Sequence, residues 1–543
     1  MKSRTPIPRS PRSQGREISY DMAAKTLSVS KASILNWVKS GELTCLRRGY
    51  VSSASLIHFQ DQIAGKTRLI ARANKLYQTT KQRPVKTSEP SDSYEAKLGN
   101  TQQNKEGVYY TPPSVIDSIL SKIDEDVSNL TFFDPCCGTG NFLLGALRRG
   151  FKPENIYGQD CDADALAIAK SRLETKTQSA FNTLTCADFL NPPSPDPAHI
   201  PQKKFDIIAT NPPWGKKYTR QEKLDFAKSF GLSTPIGSSA LFSFQAFAQL
   251  KDNGVLALLL PEACFKIAAF IPLRDQFLKV DIVALENHGR AFPSLITFAH
   301  SIVCRKTDVC RKTERPLRTS ISCTSKNRTY TRTKASFARL PKSIFNFETP
   351  PKDMEIIEHI FGKPHITLKD SARWGLGIVT GRNKALCRDA PLVDDVAIFT
   401  GSDISKTGLK SPSRFLNPDL SRYRQTAPET LYRAPEKLIY KFISTRLVFF
   451  KDTEQRLILN SANMLILNTA FPLSHSQLCF LLNSDVMNFI FQKIFGTRKV
   501  LRSDLETLPI FHLFFEKHAQ LSEAALLEYL GLEFTDDSYQ ILA

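Results

Sequence analysis

The sequence predicts an α/β protein built on a doubly wound mixed sheet, with a small helical module before the sheet and an α+β domain after it. Three observations carry that expectation. The short apolar run at 130–133 passes through Asp134-Pro135-Cys136-Cys137-Gly138-Thr139-Gly140 into a helix at 143–149, the strand–turn–helix start of a parallel crossover. Two more strand-like runs, beginning at Asn155 and Leu184, follow at crossover spacing, and each is closed by an acidic residue, Asp160 and Asp188. A longer apolar run at 205–210 ends in Asn211-Pro212-Pro213-Trp214, and strands alternate with helices to about residue 305.

At 543 residues the chain exceeds one ordinary core, so several domains are expected. Residues 1–16 read as a basic disordered arm, with Pro6, Pro8 and Pro11 and no apolar stretch of a secretory signal. Residues 17–60 read as a helix-turn-helix. Ser19 caps a helix holding Met22, Ala23, Ala24 and Leu27, and Ser30 caps a second with Ile34, Leu35, Trp37 and Val38 on its inner face. Gly41 closes that helix, and residues 43–51, with Arg47, Arg48 and Tyr50, form a short basic wing. A basic helix and a Pro- and Ser-rich linker fill 61–104. Residues 105–306 hold the sheet. Arg, Lys, Thr and Ser dominate 307–344, which predicts an exposed basic connector. Residues 345–543 mix strand-like runs such as 437–443 with helical runs such as 478–495.

A formal net charge of +20 and a pI near 9.4 point to a polyanionic partner, nucleic acid first and an anionic membrane surface second. The most apolar stretch, 254–271, is interrupted by Pro261, Glu262 and Lys266, which fits a buried strand better than a bilayer span. The 11 cysteines are odd in number and scattered. They fit reduced thiols in a cytosol, with no metal site expected.

The tetrapeptide names an acceptor atom. An exocyclic amine on a base is a poor nucleophile because its lone pair is delocalised into the ring. Two acceptors aimed at its two N–H bonds localise that pair: the Asn211 side-chain carbonyl, and the Pro212 main-chain carbonyl, which Pro212 and Pro213 hold rigid. Trp214 offers a flat face on which an extruded base can stack. Asn-Pro and Pro-Pro pairs also mark ordinary turns, so the upstream residues decide. In the glycine turn, Gly138 and Gly140 let a ligand approach the backbone, but the third glycine of a dinucleotide fingerprint is missing. Asp134 at its mouth repels a diphosphate and favours a cationic amino or sulfonium group, as S-adenosylmethionine carries. Asp160 is placed for ribose hydroxyls with Cys161 against the cofactor's adenine, while Asp162 caps the following helix. Asp188 is placed to accept from the adenine amine, with Phe189 against the ring. Cys136 and Cys137 are structural and not nucleophiles.

On these residues, the segment from Tyr109 to about Arg305 resembles the N6-adenine DNA methyltransferases in their gamma arrangement, where cofactor motifs precede the Asn-Pro-Pro-aromatic motif. The resemblance implies a class I, Rossmann-like methyltransferase using S-adenosylmethionine. It also implies a helix at Thr111-Pro112-Pro113 whose N-terminus receives the methionine carboxylate, and Phe292 as a second aromatic that sandwiches the base opposite Trp214. Trp214 departs from the Tyr or Phe usual in the family, which leaves the pocket width open. Residues 377–384, 437–444 and 503–509 resemble the C-terminal specificity domain of Taq-like enzymes, with Arg382, Asn383 and Lys384 as DNA contacts. Residues 18–59 resemble excisionase and MerR-type helix-turn-helix domains, which implies DNA contacts from Lys31, Ser33, Asn36 and Lys39, with Arg47 and Arg48 in the wing.

The function implied is site-specific methylation of adenine in double-stranded DNA, as the modification component of a restriction-modification system, by a cytoplasmic prokaryotic enzyme that acts as a monomer on DNA. No nuclease cluster is evident in the N-terminal region, so a restriction endonuclease is expected on a separate chain. A cytosine-N4 methyltransferase is the nearest alternative, and a DNA-binding regulator with an inactive methyltransferase fold is the next.

Overall fold

A computed structural model describes residues 17–27, 34–35, 37–38, 43–47, 49–56, 59, 109–190, 204–292, 295, 297–307, 320–518 and 520–542. Two compact units divide the chain at Gly99 and Asn100. The arm and most of the 61–104 segment therefore lie outside the described residues.

In the first unit, strand β1 (Glu17–Ser19) leads into a helix at Tyr20–Thr26, and the Ser19 hydroxyl accepts from the Met22 amide at 3.2 Å, the expected cap. Strands β2 (Cys45–Arg47) and β3 (Tyr50–Ser52) complete a small sheet in the order β1-β3-β2, so the expected wing is a hairpin. Tyr20, Ala23, Ala24, Ile34, Val51 and Phe59 form its core. Met22 and Leu35 were expected inside and are exposed, because a unit this small has one apolar stripe per helix to bury.

The second unit is organised by a nine-stranded sheet. Its first five strands are β4 (Phe132–Asp134), β5 (Ile156–Asp160), β6 (Leu184–Cys186), β7 (Phe205–Thr210) and β8 (Leu250–Pro261). Then come β9 (Asp281–Asn287), β10 (Ala299–Arg305), β11 (Ile321–Ser325) and β12 (Arg328–Arg332), giving the order β12-β11-β9-β10-β8-β7-β4-β5-β6. Strands β4 to β8 are mutually parallel, while β10 runs antiparallel to both β8 and β9. The chain crosses from one side of β4 to the other between β6 and β7, which makes the carboxyl ends of β4 and β7 the switch point where such sheets hold ligands.

Side-chain alternation divides the interior. Phe132, Ile207, Ala209, Val255, Ala257 and Leu259 face one core, and Phe133, Ile208, Leu256, Leu258 and Leu260 face the other. Both faces are covered, so the strands are apolar almost throughout. The helices Asn141–Arg149 and Ala163–Thr177 follow β4 and β5, the second capped by Asp162, whose side chain accepts from the amides of Asp164 and Ala165.

One expectation is corrected here. Within the segment read as a basic connector, residues 321–332 are two paired strands that extend the central sheet, followed by a short helix at Lys334–Ala338. Its Thr, Arg and Ser residues hide a two-residue alternation in which only Ile321, Cys323, Ser325 and Arg332 turn inward.

The C-terminal region carries a four-stranded antiparallel sheet in the spatial order Ala372–Leu376, Ala462–Leu467, Lys437–Lys441, Phe449–Asp452. Helices at His475–Asn483 and Asp485–Ile494 pack on it, and Ser484, which caps the second, divides the helical run into two. Among the described residues no helix is long and apolar enough to cross a membrane.

Candidate active site at the strand ends

The turns that leave β4, β5, β6 and β7 lie side by side because those strands are parallel neighbours. Asp134 closes β4. It is buried, its Oδ1 accepts from the Cys136 amide at 3.1 Å, and burial, helped by the nearby Asp160 charge, pushes its carboxyl up to about 7. Gly138, at φ 51, donates its amide to Asp160 Oδ2 at 2.7 Å, and Asp162 donates to Asp160 Oδ1 at 2.9 Å. The two glycines do not clear space for a ligand as expected. A Cβ on Gly138 would lie 2.8 Å from the Tyr110 ring, and one on Gly140, at φ 87, would lie 3.0 Å from Ala169 Cβ. Their open sides are filled by the protein itself. Burial pushes the Cys136 and Cys137 thiols well above their usual range, so neither supplies a thiolate at neutral pH.

Past β6, Asp188 Oδ1 accepts from the Leu190 amide at 3.0 Å, and Oδ2 pairs with the Lys216 ammonium at 3.1 Å. Burial works against the Lys216 charge, but Tyr218 and Asp188 outweigh it and hold this lysine above its usual range. Lys216 was not anticipated; its place two residues beyond Trp214 was the available signal. Cys161 is exposed beside these groups. The Phe189 ring, expected to face adenine, is instead committed to the core, with ring centroids 6.1 Å from Phe133 and 5.9 Å from Phe242. An aromatic at that position gains more from burial among other rings than from a ligand face.

The strand β7 delivers Asn211. Its Nδ2 donates to the Tyr109 carbonyl at 2.9 Å, while its Oδ1 is buried and has no hydrogen-bond partner. The Pro213 carbonyl is occupied by the hydroxyls of Ser238 at 3.0 Å and Ser239 at 3.3 Å. The Pro212 carbonyl has no donor among the described residues. Two acceptors thus stand unfilled on successive residues, which is uncommon for buried oxygens.

Trp214 is buried, and its Nε1 donates to the Leu259 carbonyl at 3.3 Å. Its ring meets Phe292 edge-on, with centroids 5.1 Å apart at 89°, and Tyr109 packs 5.6 Å from Phe292. A base held between two ring faces needs roughly 7 Å, twice the optimal carbon–carbon separation. The rings expected to sandwich a base therefore touch in this state and must part to admit one. A cavity of about 300 Å³ opens beside Trp214, lined also by Tyr109, Ser238, Ser239 and Phe270.

Ahead of Phe292, Asn287 Oδ1 accepts from the Gly289 amide at 2.7 Å, and its Nδ2 donates to Glu348. Glu348 in turn pairs with Lys266 at 2.8 Å. Thr111 is buried, and its carbonyl accepts from Asn141 Nδ2 at 3.0 Å. The helix Pro113–Leu120 begins after it, with Pro112 in the capping position and no side-chain cap.

Of the other expected DNA contacts, Arg47 pairs with Glu17 at 2.8 Å and lies 4.0 Å over the Tyr50 ring. Lys31, Ser33, Asn36, Lys39 and Arg48 lie outside the described residues. Arg382 is exposed, and Asn383 is tied to the Thr380 hydroxyl. The Lys384 side chain lies outside the described residues.

Comparison with known proteins agrees with this arrangement. Residues 89–283 match the N-6 DNA Methylase family, and residues 396–510 match the TaqI-like C-terminal specificity domain. The chain is 39% identical over 405 residues to the type II methyltransferase M.VspI of Vibrio sp. (strain 343), a match that covers 72% of this chain and 97% of that protein. It is 22% identical over 199 residues to the modification methylase CviBIII of Paramecium bursaria Chlorella virus NC1A, covering 36% of this chain and 48% of the relative. Its fold is like that of the type IIL restriction-modification enzyme MmeI solved with DNA, at a TM-score of 0.53 and 12% identity, over 82% of this chain and 78% of that one.

Proposed function

The chain belongs to the type II methyltransferases, and from that premise we propose that it methylates the exocyclic N6 of an adenine turned out of duplex DNA. It is a site-specific DNA methyltransferase of the restriction-modification class, and its methyl donor is S-adenosylmethionine. That donor supplies an electrophilic methyl group on a cationic sulfur.

The residues present suit such a group. The turn after β4 holds carboxylates and no basic side chain, and its Gly138 amide is already spent on Asp160, so it offers no cradle for a diphosphate. Asp134 and Asp160 would hold the cationic and ribose portions. Asp188 would meet the adenine amine by exchanging its bond with Lys216.

The single observation that carries the adenine reading is the buried, unpartnered Oδ1 of Asn211 beside the unfilled Pro212 carbonyl. Both accept from the two N–H bonds of a planar amine, drawing its lone pair out of the ring as the nitrogen becomes tetrahedral and positive. These bonds are stronger in the transition state than in the ground state, so they lower the barrier. Tyr109 supports the arrangement by fixing the amide, and Trp214 by stacking on the base once Phe292 withdraws. The N-terminal unit is assigned a second DNA contact through its hairpin, and the cleaving activity of the system to a separate chain.

The test is methyl transfer from labelled S-adenosylmethionine to mixed-sequence duplex DNA, followed by digestion to nucleosides. N6-methyldeoxyadenosine is expected. Label in N4-methyldeoxycytidine moves the acceptor to cytosine, and no transfer at all removes the activity.

A further inference from the structure

The paired strands β11 and β12 have no role in the chemistry above, yet their construction is specific. The register runs from Ile321 opposite Arg332 to Ser325 opposite Arg328, closed by a tight turn at Lys326 (φ 49) and Asn327 (φ 61). Two successive left-handed residues give the turn whose twist matches a hairpin. The root is fixed: the Arg332 guanidinium is buried, donates to the Thr349 carbonyl at 3.3 Å and lies 4.6 Å over the Phe337 ring. The tip is free, with Lys326, Asn327, Arg328 and Thr329 all exposed.

The direction of the hairpin places that tip. Strand β11 pairs in parallel with β9, Ser322 to Ala284 and Thr324 to Glu286. The turn therefore emerges at the carboxyl end of β9, where Asn287 and Gly289 lead to Phe292. A cavity of about 1090 Å³ lies there, with the hairpin tip on one wall, Asn287 to Gly289 on another and residues 492–496 of the C-terminal region on a third.

Charge decides what the rim of this cavity suits. Inside it, Lys266 is consumed by Glu262 and Glu348, and Lys493 by Asp353 at 2.5 Å. At the rim, Lys326 and Arg328 have no carboxylate partner among the described residues. The same holds for Arg290 and Arg498, which are exposed next to two other walls. Unpaired cations drawn from three separate chain segments around one opening fit a polyanion that runs past it.

We propose that the β11–β12 hairpin is a DNA-gripping element, with Lys326 and Arg328 binding the sugar–phosphate backbone of the duplex beside the target base. This rests on the reading that the chain methylates duplex DNA. Phosphate contacts of this kind fix position without reading sequence.

The test is the double variant K326Q with R328Q, which keeps stem length and removes charge. Its control is K170Q with K176Q, on the helix Ala163–Thr177 near the opposite edge of the sheet. Binding to a duplex carrying the mapped target and to a scrambled duplex is measured against salt. The slope of log affinity against log salt is expected to fall by about 1 to 2 in magnitude, near 0.9 per phosphate released. Both duplexes should weaken by the same factor, about tenfold, while cofactor affinity and kcat at saturating DNA stay at wild-type values. The conservative pair K326R with R328K should restore the slope, which separates charge from misfolding. A slope equal to that of wild type overturns the proposal, as does a loss confined to the target duplex. Wild-type protein that fails to methylate DNA would instead remove the activity on which the proposal rests.

Discussion

The Asn211 side-chain amide donates to the main-chain carbonyl of Tyr109 across 102 residues of sequence. A carbonyl only accepts, so this bond dictates which end of the amide is nitrogen and turns the oxygen toward the site. Asn211 is thereby oriented by the segment that opens the helix Pro113–Leu120, ahead of every cofactor turn.

Replacing Asn211 by Ala removes one of the two acceptors without touching Asp134, Asp160 or Asp188. Methyl transfer is expected to fall by at least about a hundredfold, the scale seen when one preorganised polar group is removed from a transition state. S-adenosylmethionine binding by calorimetry should be unchanged. Retained turnover would show that Asn211 is only a turn residue.

Because Trp214 and Phe292 touch edge-on, base entry has to separate them. With 2-aminopurine at the target position, Trp214→Phe should keep the fluorescence rise on binding. Trp214→Ala should lose it, with binding weaker by about 1–3 kcal/mol, the worth of one stacked base. An equal rise in both variants would place the extruded base elsewhere.

Burial holds the Asp134 carboxyl up at about 7, above an unfolded value near 3.9. Its contribution to stability is therefore complete below about pH 4 and is lost as pH rises through about 7. A cation bound beside it acts the other way and favours the carboxylate. Cofactor binding at pH 7 should release part of a proton, seen as a calorimetric enthalpy that depends on the buffer, and Asp134→Asn should abolish that dependence. A buffer-independent enthalpy in the unmodified protein would argue against a cationic group next to Asp134.

Lys437 and Asp452 face each other across neighbouring strands at 2.5 Å, and neither side chain has any exposure. Lys437 also donates to the Tyr432 carbonyl at 2.7 Å, and Asp452 accepts from Arg456 at 2.8 Å. Asp452→Asn leaves the lysine charge buried and should destabilise by about 3–5 kcal/mol in denaturant unfolding. Adding Lys437→Met should recover a good part of that loss. No recovery would mean that Asp452 acts mainly through Arg456.

What could be read from sequence was local. The glycine turn, the acidic strand ends and the tetrapeptide are each contiguous, and each sits at the end of a strand whose apolar residues announce it. Side-chain direction was not legible. Asp188 and Phe189 are adjacent, yet one faces the site and the other joins the rings of Phe133 and Phe242, a choice made by strands far away in the chain. Lys216 reaches back 28 residues to Asp188, a pairing that exists only once β6 and the loop after β7 are neighbours. The hairpin was missed because its inward residues include Ser325 and Arg332, which look solvent-facing until Thr349 and Phe337 are placed against the arginine.

The strand order has one more consequence. The turns after β4, β5, β6 and β7 occupy one half of the sheet, while the Phe292 loop and the hairpin hang from β9 and β11 on the other. A restriction system stays viable only if methylation keeps pace with any change in the sequence that is cut. With chemistry and address housed on opposite halves of one scaffold, substitutions that rewrite the address need not disturb the inherited chemistry. Lineages built on this sheet can diversify their targets in small viable steps.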